Sequence, residues 1–257
     1  MNNTTSTANL KTLLRFPFQS AGARNSFLLG TALLWGSLFV PVLPALVVYG
    51  YVAQVMRRAI QDDELTLPAW GNWGTLAVDG LRSLVIGLVY LGPGLAVWIG
   101  GFLLYFTLWV GGFALLDTSP RSSEAAWLPL LAIAAVSVLF LSLLVGTLLW
   151  VLGAIPLPAA LARFVAQDRL TAAFDFGALW RLIRADGWGY LLGWVVLMGL
   201  GALAYLAFTV IYMTGILCFL AGFAAAPFSL YLFLVGAGLF GQFYRAGLAR
   251  PPATTAP

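Results

Sequence analysis

The sequence contains no histidine. Its absence removes the commonest metal ligand and the commonest general base near neutral pH. There is one cysteine, Cys218, inside an apolar run. A lone cysteine allows neither an intrachain disulfide nor a thiolate metal site. Charge is also scarce, at 9% of residues against about 25% in an average soluble domain. The few charges are clustered. No Asp, Glu, Lys or Arg occurs between Arg24 and Arg57, Arg82 and Asp117, Glu124 and Arg163, or Asp186 and Arg245, gaps of 32, 34, 38 and 58 residues. A bilayer core about 30 Å thick needs about 20 apolar residues to cross as a helix. A charge at the centre of such a helix costs about 2.5–3.5 kcal/mol. Every gap is long enough to cross. With 61% hydrophobic residues, one soluble core could not hide so much apolar surface. The pattern predicts an all-α, polytopic helical membrane protein.

The net charge of +4 does not point to nucleic acid. The basic residues flank apolar runs, where they set orientation and meet anionic headgroups. The first apolar run, from about Ser26, is too long for a signal-peptide core and lacks a small-residue cleavage site. The expected organisation is a polar and interfacial segment over residues 1–24, a helical membrane domain over 25–244, and a loose tail over 245–257.

Within the domain, Leu10–Phe18 mixes cations with apolar groups, as a short interfacial segment does. The run Ser26–Met56 carries Pro41 and Pro44, each of which removes a backbone donor. It is either a single crossing or a shallow hairpin bent at the prolines. Next come Arg57-Arg58, the acidic run Asp62-Asp63-Glu64, and a linker with Trp70 and Trp73, suited to a membrane–water boundary. The run Ser83–Leu116 is interrupted by Gly92-Pro93-Gly94, so it is one tilted, kinked helix or two short segments. A third run extends to Pro158. The linker Arg163–Asp186 is arginine-rich. The last run, Gly187–Tyr244, holds two crossings with a break near Thr214–Ala226. About five to six membrane segments result: five crossings, or four plus a hairpin, or six if the second run folds back.

An internal repeat is visible. Val52-Ala53-Gln54 recurs as Val165-Ala166-Gln167, and Trp73 stands before Asp79-Gly80 as Trp180 stands before Asp186-Gly187. Two repeats follow, at about 26–116 and 125–244, each of membrane helix, interfacial helix and membrane helix. In the second interfacial helix Phe176, Leu179, Trp180 and Ile183 share one face, while Arg181 and Arg184 point away toward phosphates. By the positive-inside rule the arginine-rich linkers and the C-terminus are cytoplasmic.

Trp70, Trp73, Asp79, Arg82, Trp180, Arg181, Arg184 and Asp186 are the candidates for interfacial and lipid contact. Asp79 and Arg82 share a helix face. Their structural reading is a helix-start acid complementing the macrodipole and an arginine snorkelling to phosphates. Asp186 reads in the same way. The acidic run reads as a solvated turn, and Gly189/Gly193 and the Gly236–Gly241 cluster as packing faces. No catalytic, cofactor or metal-binding residue is expected.

The order Phe16-Pro17-Phe18, apolar helix, Gly50-Tyr51, basic pair, Leu67-Pro68-x-Trp70-x-x-Trp73, Asp79-Gly80, Tyr90 resembles a prokaryotic membrane-protein family known as domain-of-unknown-function family 4013. The resemblance covers about residues 10–245 and is strongest from Gly50 to Tyr90. It implies a multi-pass inner-membrane protein and brings no activity to any residue.

Three functional classes remain. The first is a non-enzymatic membrane protein that organises lipid or a partner, its partners being membrane lipids and a membrane protein or a second copy of itself. The second is a facilitator for an apolar or lipid-like solute, since the chain has no intramembrane ionisable residue to mark an ion path. The third and weakest is a lipid-modifying enzyme using Asp79, Asp175 or Asp186.

Overall fold

The computed structural model describes residues 11–61, 65–118, 128–213, 215 and 218–249. The first ten residues, the acidic run Asp62-Asp63-Glu64, most of the loop Asp117–Glu124 and the tail from Arg250 lie outside the described residues. Every regular element described is helical: α1 Ala21–Gly36, α2 Leu43–Gln61, α3 Trp73–Thr118, α4 Leu128–Ala154, α5 Leu157–Gln167, α6 Phe176–Ala185, α7 Gly187–Met213 and α8 Cys218–Ala249, with 3-10 turns at Phe16–Phe18 and Leu170–Phe174.

Among the described residues, four segments are long and apolar enough to cross a membrane: Trp73–Gly112, Leu128–Gln167, Gly187–Met213 and Ala221–Leu248. This corrects the expected five to six, for two reasons. The run Ser26–Met56 is divided at residues 37–42 into α1, 16 residues, and α2, 19 residues. The first is shorter than a crossing requires, and the second carries Gln54, Arg57, Arg58 and Gln61. The run Ser83–Leu116 does not fold back. It lies in one continuous 46-residue helix that contains Pro93. The last run is divided into α7, which ends at Met213, and α8, which begins at Cys218; between them Gly215 takes φ +66°, inside the expected interval.

The chain forms two compact units, Met1–Ile86 with Pro158–Pro257, and Gly87–Leu157. The first is organised around α8, which packs on α2, α7 and α1. Ring contacts Tyr49–Phe233 and Tyr190–Phe240, and the approach of Gly241 to Ala59, show α2 parallel to α8 and α7 antiparallel to it. Helices α1 and α2 form an antiparallel hairpin. At its tip the Trp35 indole N–H donates to the Phe223 carbonyl at 2.8 Å. That carbonyl stands four residues before Pro227, which lies inside α8 and has no N–H to give it. Trp35 thus satisfies an acceptor that the proline leaves open. The interfacial segment turns inward as well: Leu13 and Phe16 are buried against Gly238, and the Tyr231 hydroxyl donates to the Leu14 carbonyl at 3.0 Å.

Helix α3 enters this unit by crossing α2 backbone to backbone. A Cβ on Gly50 would collide with the Leu76 carbonyl, and one on Gly80 with the Leu46 carbonyl. Residues Gly189 and Gly193 face Phe243 and Leu239 of α8, a packing face of the kind expected from their spacing.

The second unit is a hairpin of α3 and α4. Gly94 meets Gly146 and Trp150, Gly101 meets Ser142, and Gly153 meets the Tyr90 carbonyl. Gly94 and Gly101, like Gly146 and Gly153, are one heptad apart, the interval that keeps one stripe of a helix facing its partner. Trp98 stacks on Trp150 with centroids 6.2 Å apart.

Candidate functional site

Helices α1, α2, α7 and α8 carry charge only near their ends: Arg24 early in α1, Arg57 and Arg58 late in α2, Arg245 late in α8, and none in α7. The packing directions described above bring these ends together. The linker helices α5 and α6, the turns that flank them and the start of α3 add further charges, among them Arg163, Asp168, Asp175, Arg181, Arg184, Asp79 and Arg82, so chemistry concentrates at one end of the helices.

The motif Leu67-Pro68-x-Trp70 fastens the linker at this end. The buried Pro68 carbonyl accepts from the Tyr51 hydroxyl at 2.8 Å and from the Ser26 hydroxyl at 3.3 Å. The Trp70 indole donates to the Ser26 carbonyl at 2.9 Å and stacks on Tyr51 at 3.9 Å, within 5° of parallel. Trp70 is therefore a half-buried structural ring, while Trp73, stacked beside it at 5.8 Å, is exposed. Residue Asn72, in the left-handed region with φ +47°, presents its carbonyl to the amides of Thr75 and Leu76 and so starts α3.

Asp79 lies beyond the first turn of α3, so it does not serve as the helix-start acid that its sequence position suggested. It is the inner member of an ion-pair quartet. Its Oδ2 accepts from Arg57 Nη1 at 3.2 Å, and its Oδ1 lies 3.6 Å from Arg82 Nη1. The other acid is Asp168, whose Oδ1 lies 3.5 Å from Arg57 Nη2 and 3.6 Å from Arg82 Nη1. Asp79 is 14% exposed and Asp168 71%, with Arg57 and Arg82 at 29% and 42%. Arg57 also donates through Nε to the Val165 carbonyl at 3.5 Å. Arg82 is accordingly engaged by two carboxylates rather than simply extended toward phosphates. The two Val-Ala-Gln stretches thereby meet, through Arg57 on one side and Val165 and Asp168 on the other.

A second pair fixes α6. Asp175 caps its first turn by accepting from the Ala178 amide at 3.1 Å and takes a bond from Arg163 at 3.3 Å. Of the residues predicted to share one face of α6, Leu179 is buried, whereas Phe176 and Trp180 are exposed. Arg184 does not point away from Trp180; its guanidinium lies over that ring, 4.9 Å from the centroid. Arg181 is exposed. Asp186, at the junction of α6 and α7, offers its backbone carbonyl to the Tyr190 amide at 2.9 Å. Its side chain lines a cavity of about 10 Å³ with Tyr190, Phe243 and Tyr244, room for one water at most.

A family model described as Protein of unknown function (DUF4013) matches residues 33–220. The chain belongs to that family. The matched span takes in the Gly50–Tyr90 stretch that carries the Pro68 clasp and the glycine crossing, and it includes all four members of the quartet. No curated protein and no solved structure matches the chain.

Arg57, Asp168 and Arg163 were not legible as site residues. Asp168 is distant in sequence from both arginines it touches. The signal available was positional: it directly follows the second Val-Ala-Gln, as Arg57 closely follows the first.

Proposed function

We propose that this DUF4013 member is a non-enzymatic, multi-pass protein of a prokaryotic cell membrane that organises lipid, or a membrane partner, at its charged end. One observation carries the reading. At that end α6 exposes Phe176, Trp180 and Arg181 beside the Arg184–Trp180 pair, next to the exposed Trp188. Aromatic rings and guanidinium groups side by side on a short helix suit the boundary where acyl chains give way to phosphates. The positive-inside rule then assigns the charged end, the arginine-rich linkers and the C-terminus to the cytoplasm. Residues 25–244 form a single membrane domain built from two repeats.

The test is the double substitution R181Q/R184Q. Each arginine near an anionic surface contributes about 1 kcal/mol, so co-purification of anionic phospholipid falls several-fold. Unchanged lipid content, measured by mass spectrometry on protein held in native lipid discs, overturns the reading. The same discs report any protein that accompanies the chain.

A second reading draws on the α3–α4 hairpin. An apolar cavity of about 200 Å³ is lined by Leu108, Trp109, Gly112, Leu128, Leu131 and Ala135, among others. A facilitator for an apolar or lipid-like solute would use such a surface, and solute flux into reconstituted vesicles would favour it.

A further inference from the structure

We infer that Arg57 and Arg82 form a binding site for a phosphate anion, and that Asp168 fills the outer position of that site in this structure. The inference extends the reading given under Proposed function, and rests on it only for the source of the phosphate.

The two arginines come from different helices and are held from beneath. Asp79 gives one carboxylate oxygen to each of them, at 3.2 and 3.6 Å. The glycine crossing of α2 and α3 sets the separation of their backbones. Neither constraint involves Asp168. On the outer side both guanidinium groups converge on one atom, Oδ1 of Asp168, at 3.5 and 3.6 Å. An oxygen already sits where two guanidinium groups from two helices point, which is the arrangement an anion site requires.

Asp168 is a weak occupant. It is 71% exposed, against 14% for Asp79, and ion pairs that open to solvent contribute little. Its backbone, at φ +50°, lies just beyond the end of α5 at Gln167, so it reaches the site from a turn and not from a helix face. It also shares one oxygen between two donors. A phosphate diester carries the same single negative charge and would leave the quartet neutral, while its two anionic oxygens would give each guanidinium a partner of its own. Asp168 therefore acts as a self-ligand, and exchange for phosphate releases the α5 turn.

Phosphate could come from a lipid headgroup or from solution, and the experiment separates the two. The full chain in detergent is titrated with phosphatidylglycerol and, separately, with phosphatidylcholine, and bound lipid is counted by native mass spectrometry. Inorganic phosphate is titrated in parallel with thermal unfolding as the readout. The variants are D168N, which removes the self-ligand, R82Q, which removes half the site, and D117N, which removes one acid near the far end of α3. At low salt D168N binds phosphatidylglycerol about fivefold more tightly than the parent chain, the size expected for one unit charge at about 4 Å in a water-like medium. R82Q binds it more weakly, and D117N matches the parent chain. Phosphatidylcholine carries the same diester, but its choline cation offsets the charge, so it separates the variants less than phosphatidylglycerol does. If inorganic phosphate stabilises D168N selectively and phosphatidylglycerol does not, the anion site stands and the lipid reading falls. If neither separates D168N from D117N, the site is overturned and the quartet is only a fastener between α2, α3 and α5.

Discussion

The two units solve the same problem by different means. Helices in lipid gain nothing from hiding apolar surface from one another, so they associate by close packing or by polar contacts. The α3–α4 hairpin of the second unit relies mainly on the first: glycines admit the facing helix and tryptophans stack across the seam. The unit around α8 uses glycines too, but adds directed bonds over long sequence separations. These include Tyr51 and Ser26 to Pro68, Trp70 to Ser26, Trp35 to Phe223, Tyr231 to Leu14, and the arginine–aspartate quartet. A two-helix hairpin has one way to close. A hairpin, a linker and three further helices have many, and directed bonds select among them.

Substitutions of glycine test what the units share. Gly50→Val and Gly153→Val each drive a side chain into a carbonyl of the facing helix. Each costs about 3 kcal/mol or more, read as a fall in melting temperature and in monodisperse yield in detergent. Gly87→Ala, with nothing within 4 Å, is the silent control. Equal tolerance of all three would dissolve the account of both seams.

The remaining substitutions test what they do not share. Asp79→Asn leaves two arginines facing one another around a largely buried position and costs about 2 kcal/mol; unaltered thermal stability would remove the quartet from the list of fasteners. Trp35→Phe strands the Phe223 carbonyl and costs about 1.5 kcal/mol. In a Pro227→Ala background α8 can serve that carbonyl with its own amide, so the same change costs less than half as much. A double-mutant cycle without coupling would refute the link. Trp98→Phe in the second unit costs only about 0.5 kcal/mol, because its 3.4 Å bond goes to Leu143 inside an uninterrupted helix.

The long crossings were legible because charge is excluded from lipid, and the charge gaps mark them directly. The break before α8 was legible as well, and the bend at Pro41 and Pro44 stood as one of two alternatives. The number of crossings was less so, since hydropathy does not distinguish a 31-residue run that crosses once from one that turns back. The ring of Trp70 was read as an interfacial group because an amphipathic side chain fits both a boundary and a buried polar clasp. In a helix that is apolar all round, composition does not reveal which face packs. Only the glycines hint at it, and they do so one position at a time. The quartet was half visible, as Asp79 and Arg82 at helical spacing. Its other half depends on a turn that tertiary folding delivers.

The Trp35–Phe223 bond joins residues 188 positions apart. Synthesis proceeds from the amino terminus, so the α1–α2 hairpin leaves the ribosome long before the helix that receives it exists. Until α8 arrives, Trp35 has no acceptor there, and the faces of Leu13, Phe16 and Tyr51 that α8 and the linker cover remain incomplete. Helices α1 and α2 are thus made well before they are locked in place, and a chain that stops short of α8 leaves them unassembled.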